Sequence, residues 1–119
     1  MSIRLKRAYE PSEPGDGFRI LVDRLWPRGV SKNSAKIDLW LKDIAPSTSL
    51  RKWFGHEQGK WLEFKARYAA ELADNSELVG QLMAHTRGRA VTLVYAAKDK
   101  EHNDAVALLE YLKSHRSRS

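Results

Sequence analysis

The sequence predicts an α/β domain: a small, mainly parallel sheet of three to four strands flanked by helices. Three observations carry that expectation. Two short runs, Phe18 to Val22 (FRILV) and Ala90 to Ala97 (AVTLVYAA), are almost continuously apolar, as strands buried on both faces are. Each run is followed by a polar loop, and segments with apolar residues every three or four positions lie between and after them. The chain has 119 residues, 42% of them apolar, which is enough to bury one core. One domain is therefore expected over residues 1–113, with a flexible basic tail at 114–119.

The elements follow in order. Ile3 to Arg7 (IRLKR) alternates apolar and basic side chains, the period of a strand with one buried face. Tyr9 to Gly17 (YEPSEPGDG) crowds prolines, glycines and acids together and must be an exposed loop. Phe18 to Val22 is the second strand, ended by Pro27 and Gly29. Residues Ile37 to Leu41 fit both strand and helix spacing; Pro46 cuts the segment short and favours a strand. Ser47 to Phe54 reads as a short helix broken by Gly55.

A longer helix is expected from about Lys60 to Ala73. There Trp61, Phe64, Tyr68 and Leu72 form an apolar stripe, which at this spacing is core packing. Asn75 is placed to cap a helix from Glu77 to His85. The strand Ala90 to Ala97 follows, and Ala105, Leu108, Leu109 and Leu112 mark a final helix, for which Asp99 fits as the N-cap.

Composition removes several classes of function. The chain has no cysteine, which excludes disulfides, thiolate metal sites and thiol nucleophiles. No apolar run approaches the roughly 18 residues of a membrane span, and the N-terminus lacks the apolar core of a secretory signal, so a soluble, cytoplasmic protein is expected. No GxGxxG, Walker loop, GxSxG or HExxH motif occurs, and His56, His85, His102 and His115 show no helical metal spacing. No cofactor or metal is implied. The net charge of +6 and pI near 9.7 favour anionic partners.

Ligands of open parallel sheets bind beyond the carboxyl ends of the strands. Two polar clusters fall at such ends: Asp23, Arg24, Trp26 and Arg28 after the second strand, and Lys98, Asp99, His102 and Asn103 after the last. If the two strands are adjacent and parallel, these clusters meet. Arg24 and Arg28 are forked donors for carboxylate or phosphate, with Trp26, Lys98, Asp99 and Asn103 as further ligand contacts. Asp23 and His102 are the candidate base and acid. Each also has a structural explanation: Asp23 as partner of a neighbouring arginine, Trp26 as a packing lid, Asp99 as a cap, His102 as a surface histidine. His56 and Glu57, in WFGHEQGKW between glycines, read as a helix junction.

The segments DRLWPRG, RKWFGHEQGKWLEFKARYAAEL and TLVYAAKDKEHNDAVALLEYL together resemble the bacterial family known as domain of unknown function 488, in its short YeaO-like branch. The resemblance runs from the first strand to the last helix and implies an α/β domain. A longer branch of that family carries cysteines in the segment matching Tyr95 to Asn103. None is present here, so sulfur-based chemistry does not carry over.

Two functions follow as expectations. One is a site for a small anionic molecule at the strand ends, with a thiol-free enzyme as one form of it. The other is a basic module that binds nucleic acid or a regulatory partner through Arg87, Arg89, Arg116 and Arg118.

Overall fold

The computed structural model describes residues 2–115. Four strands, β1 (Ser2–Arg7), β2 (Phe18–Leu21), β3 (Leu39–Trp40) and β4 (Ala90–Tyr95), form one sheet in the order β1-β4-β2-β3, with every pair parallel. Among the described residues five α-helices, with three short 3-10 turns, accompany it: α1 (Lys32–Ala35), α2 (Thr48–Phe54), α3 (Trp61–Asp74), α4 (Ser76–His85) and α5 (Asp104–His115). The expected α/β class and parallel sheet are both found. Among the described residues no helix is long and apolar enough to cross a membrane.

The alternation of side chains along the strands assigns two unlike faces. Ile20, Val22, Val91, Leu93 and Tyr95 join the main core with Phe64, Tyr68 and Leu72 of α3 and Leu108 and Leu112 of α5. The aromatic stripe of α3 is thus core, and Tyr68 donates its hydroxyl hydrogen to the Ile44 carbonyl over 2.6 Å. The opposite face holds a smaller apolar cluster, Ala8, Leu21 and Val94, beside a polar one. There Arg19 is 3% exposed and Asp16 2% exposed. Arg19 Nη1 meets Asp16 Oδ2 at 2.6 Å, and the remaining guanidinium donors reach the Ala35 carbonyl at 2.9 and 3.1 Å. Lys6 and the amide of Glu13 complete the carboxylate's partners, so this buried charge is paired rather than stranded.

The loop before β2 is held close by glycine. Gly17 has φ +66°, and a Cβ there would sit 2.3 Å from the Ala90 carbonyl oxygen. Thr92 fastens the same loop by donating from Oγ1 to the Asp16 carbonyl over 2.8 Å.

Three local expectations are corrected. Asp99 does not cap α5: the helix begins at Asp104, and Asn103 Oδ1 accepts from the Val106 amide at 2.9 Å. Asp99 instead accepts from the amides of Glu101 and His102 within the loop, because a local turn closed by its own side chain competes with helix initiation. The side chain of Asn75 does not cap α4; it donates to the Asp43 carbonyl over 3.3 Å, since α3 runs almost directly into α4 and leaves it no extended cap conformation. The segment 37–41 is a strand over only two residues, because 3-10 geometry takes over from Lys42. Helix α5 continues through His115, and the rest of the basic tail lies outside the described residues.

Candidate functional site at the strand ends

Because all four strands are parallel, their carboxyl ends lie along one edge, and β2 is hydrogen-bonded directly to β4 with Leu21 opposite Val94. The loops after these two strands therefore meet. Between them, with α2 as a further wall, lies a cavity of about 900 Å³. It draws residues from beyond every strand: Tyr9 after β1, Asp23 to Arg28 after β2, Thr48, Arg51, Lys52, Phe54 and His56 after β3, and Ala96 to Asp99 with Asn103 and Asp104 after β4.

Of the residues singled out in the sequence, Asp23, Arg24, Trp26, Arg28, Lys98, Asp99 and Asn103 all line this cavity. His56 lines it too, whereas Glu57 and His102 are not among the lining residues. The His102 ring packs edge-on to Trp61 at 5.3 Å, and its Nδ1 lies 3.1 Å from Asp99 Oδ2. His56 sits at φ 60° just beyond the left-handed Gly55 that closes α2.

The wall formed by the loop after β2 is fixed by its own hydrogen bonds. Trp26 Nε1 donates to the Val30 carbonyl over 2.7 Å, and Trp40 Nε1 donates to the Asp23 carbonyl over 2.7 Å. The two indoles meet edge to face at 5.5 Å. Tyr9 donates its hydroxyl to the Arg28 carbonyl over 3.0 Å, joining the loops after β1 and β2. Arg24 is engaged with the segment after β3: Nη2 donates to the carbonyls of Ala45 and Pro46, and its Nε is buried without an acceptor among the described residues.

Sequence reasoning misses two side chains that the fold brings in, Asp104 and Arg51. Asp104 opens α5, directly after the capping Asn103, and the Asn-Asp step before an apolar helix is the signal that marks it. Arg51 looks from the sequence like one more solvated helix cation; only the position of α2 against the strand ends turns it to the cavity.

The floor of the cavity carries an acid pair. Asp23 Oδ2 accepts from the Ala96 amide at 2.8 Å, and its carboxyl group is within hydrogen-bond reach of Asp104. Burial and the Asp23 charge push Asp104 well above the usual carboxylate range, against the pull of the Ala105 amide and Arg51. Burial also raises Asp23, but the Ala96 amide, Asp104 and Arg51 restrain it. Two carboxyl groups this close cannot both ionise freely, so the pair favours sharing a proton, with Asp104 the member held more strongly toward its neutral form by burial.

The rim has the opposite character. Arg28, Arg51, Lys52 and Lys98 are all exposed and line the opening. Among the described residues their side chains form no salt bridge and no hydrogen bond; ion pairs occur elsewhere, as between Lys100 and Glu10 or Lys60 and Glu57. Basic side chains outnumber acidic ones in the cavity lining, with Arg24, Arg28, Arg51, Lys52 and Lys98 against Asp23, Asp99 and Asp104.

The other basic cluster behaves differently. Arg89 lies over the Phe18 ring at 3.9 Å and donates from Nε to the His85 carbonyl over 2.8 Å, so this arginine is engaged in packing beside Arg87. Arg116 and Arg118 lie outside the described residues.

Comparison with known proteins places the chain. The family described as "Inactive DUF488-N3 subclade" matches residues 2–119. The uncharacterized protein YeaO of Escherichia coli (strain K12) is 44% identical over 114 residues, covering 96% of this chain and 99% of that protein. The uncharacterized protein Rv3073c of Mycobacterium tuberculosis (strain H37Rv) is 39% identical over 110 residues, 92% of each chain. No solved structure gives a significant match. Matched along almost its entire length, the chain belongs to the DUF488 family in its YeaO-like branch.

Proposed function

We propose that the protein binds a small anionic molecule, bearing a carboxylate or phosphate, in the cavity at the strand ends, and that it acts as a binding module rather than through turnover. The observation that carries this reading is the set of four rim cations, whose side chains form no salt bridge and no hydrogen bond among the described residues, around a cavity of about 900 Å³. That volume is in the range of small-molecule sites. Arginine and lysine together supply both planar, two-pronged recognition and point charge, the combination suited to carboxylate and phosphate oxygens.

Two observations favour binding over catalysis. His102, the acid–base candidate, contacts Trp61 and Asp99 and is not among the residues lining the cavity. The matching family is itself described as inactive. Asp23 keeps a role, as the fixed acceptor of the Ala96 amide and half of the acid pair.

A thermal-shift and calorimetric titration with inorganic phosphate and with simple carboxylates tests the proposal, since a ligand that binds only the folded state raises its melting temperature. Saturable binding that weakens at least about tenfold in both Arg28→Ala and Arg51→Ala is expected, because each removes a charged donor worth about 1.5–3 kcal/mol. Unchanged affinity in both folded variants would remove the site. Retention of phosphate by these variants together with salt-sensitive binding of nucleic acid would point to the basic surface instead.

A further inference from the structure

We propose that the cavity selects a small zwitterion, seating an anionic group against Arg28, Arg51, Lys52 and Lys98 at the rim and a protonated nitrogen between the Asp23 and Asp104 carboxyl groups at the floor. This rests on the anion-binding reading above and goes further by naming the ligand's second pole.

The two poles are separated in the structure by burial and by element. All four cations are exposed, and they come from the loop after β2, from α2 and from the loop after β4. The two carboxyl groups are half-buried and belong to the loop after β2 and the first turn of α5. A ligand with only negative charge would satisfy the rim and meet an acid pair beneath it. A ligand with only positive charge would have to cross the cationic rim. A molecule carrying both, in that order, matches the cavity from mouth to floor.

The chemistry of the floor points to nitrogen. Two hydrogen-bonded carboxyl groups must share a proton, and the position of that proton is one that an N–H donor can take. Asp23 is fixed by the Ala96 amide at 2.8 Å, so the pair is held in place before a ligand arrives. An ammonium or amidinium group entering between them donates N–H to both acids and cancels their mutual repulsion. The proton on Asp104 then leaves to solvent, so one proton is released for each ligand bound.

The groups that set this exchange are named by the fold. Arg51 of α2 lowers the proton affinity of both acids, and the amides of Ala96 and Ala105 do the same for Asp23 and Asp104 respectively. The hydroxyl of Tyr68 on α3 also feels both acids, but it is buried and engaged with the Ile44 carbonyl. Arg24 acts on that hydroxyl from the loop after β2. A metal ion is the competing occupant of a carboxyl pair; among the described residues no group of three or more His, Asp or Glu side chains is arranged to hold one.

The test is calorimetry on the full chain with matched sets: alanine, β-alanine and γ-aminobutyrate, each against the carboxylate and the amine of the same skeleton, with inorganic phosphate and magnesium chloride alongside. Titration at about pH 7 in two buffers of different ionisation enthalpy counts protons. At least one amino acid is expected to bind about tenfold or more tightly than its carboxylate and its amine, with release of close to one proton. Asp104→Asn should abolish both the preference and the proton release while keeping carboxylate affinity within about twofold, a floor-specific loss. Arg51→Ala, in contrast, should weaken amino acids and carboxylates together.

Amino acids binding no better than carboxylates, in a protein that still takes phosphate, would overturn the zwitterion and leave the anion site standing. Failure of phosphate, carboxylates and amino acids alike would overturn both. Tight binding of magnesium that Asp104→Asn removes would reassign the floor to a cation.

Discussion

The backbone amide of Ala96 donates to Asp23 Oδ2 over 2.8 Å, so the first residue after β4 holds the carboxyl group that ends the β2 segment. This single bond clamps the two loops on which the cavity depends. Asp23→Ala should leave the Ala96 amide facing a cavity without its acceptor and lower stability by about 1–3 kcal/mol. Asp23→Asn keeps an acceptor oxygen and should cost less than half as much. Urea unfolding followed by circular dichroism separates the two, and equal losses would show that the carboxylate charge, not the hydrogen bond, is what matters.

Asp104 makes the opposite prediction about stability and pH. Its folded proton affinity is raised by burial and by Asp23, so the folded state binds more protons than the unfolded one above about pH 4, the ordinary carboxylate range. Stability therefore falls as pH rises from there through the raised value, and the penalty is complete above it. Asp104→Asn removes the titrating group. The variant should match or trail the native protein near about pH 4, exceed its melting temperature by a few degrees near about pH 8, and show a flatter pH profile. A variant less stable across the whole range would mean that Asp104 serves mainly as an anchor of α5.

Asp99 titrates the other way. The amides of Glu101 and His102, with a smaller contribution from the His102 ring, hold its carboxyl at about 2. A depressed folded value gives stability that is present above the ordinary carboxylate range and lost as pH falls toward about 2. Asp99→Ala should thus lower the urea midpoint at about pH 7, with the gap to the native protein closing in acid. A gap independent of pH would show that loop geometry rather than charge is responsible.

Gly17 is irreplaceable for a steric reason. An alanine Cβ would lie 2.3 Å from the Ala90 carbonyl oxygen, and the residue sits at φ +66°. Gly17→Ala should cost about 2 kcal/mol or more and loosen the contact between the loop and the start of β4. Gly59 is the control: a Cβ there would meet no atom within 4 Å and its φ is ordinary, so its alanine variant should be near neutral in the same urea titration.

The parallel sheet was legible because β2 and β4 are apolar runs that end in polar loops, whereas their adjacency was only a condition in the sequence and comes from the β2–β4 pairing itself. The polar clusters after β2 and β4 were legible for the same reason, whereas the contributions of Tyr9 after β1 and of α2 were not. Asp104 and Arg51 were not, because their importance arises where α2 and α5 begin and end relative to the sheet, which no local pattern of residues states. His102 differs: an ionisable side chain in the same loop, it contacts Trp61 and Asp99 and is not among the lining residues, which no local pattern states. Asp99 and Asn103 both have the chemistry of a cap in sequence, and only hydrogen-bond geometry distinguishes them.

The position of β4 within the sheet has a consequence for how the chain is made. It is hydrogen-bonded on one side to β1 and on the other to β2, so the sheet order keeps β1 and β2 from pairing with each other. A nascent chain leaving the ribosome therefore exposes two strand edges with their common partner still to be synthesised, until Tyr95 has emerged. The sheet and the cavity at its edge must assemble in one late event, and a chain truncated before β4 would present unpaired edges to its neighbours rather than a smaller version of the fold.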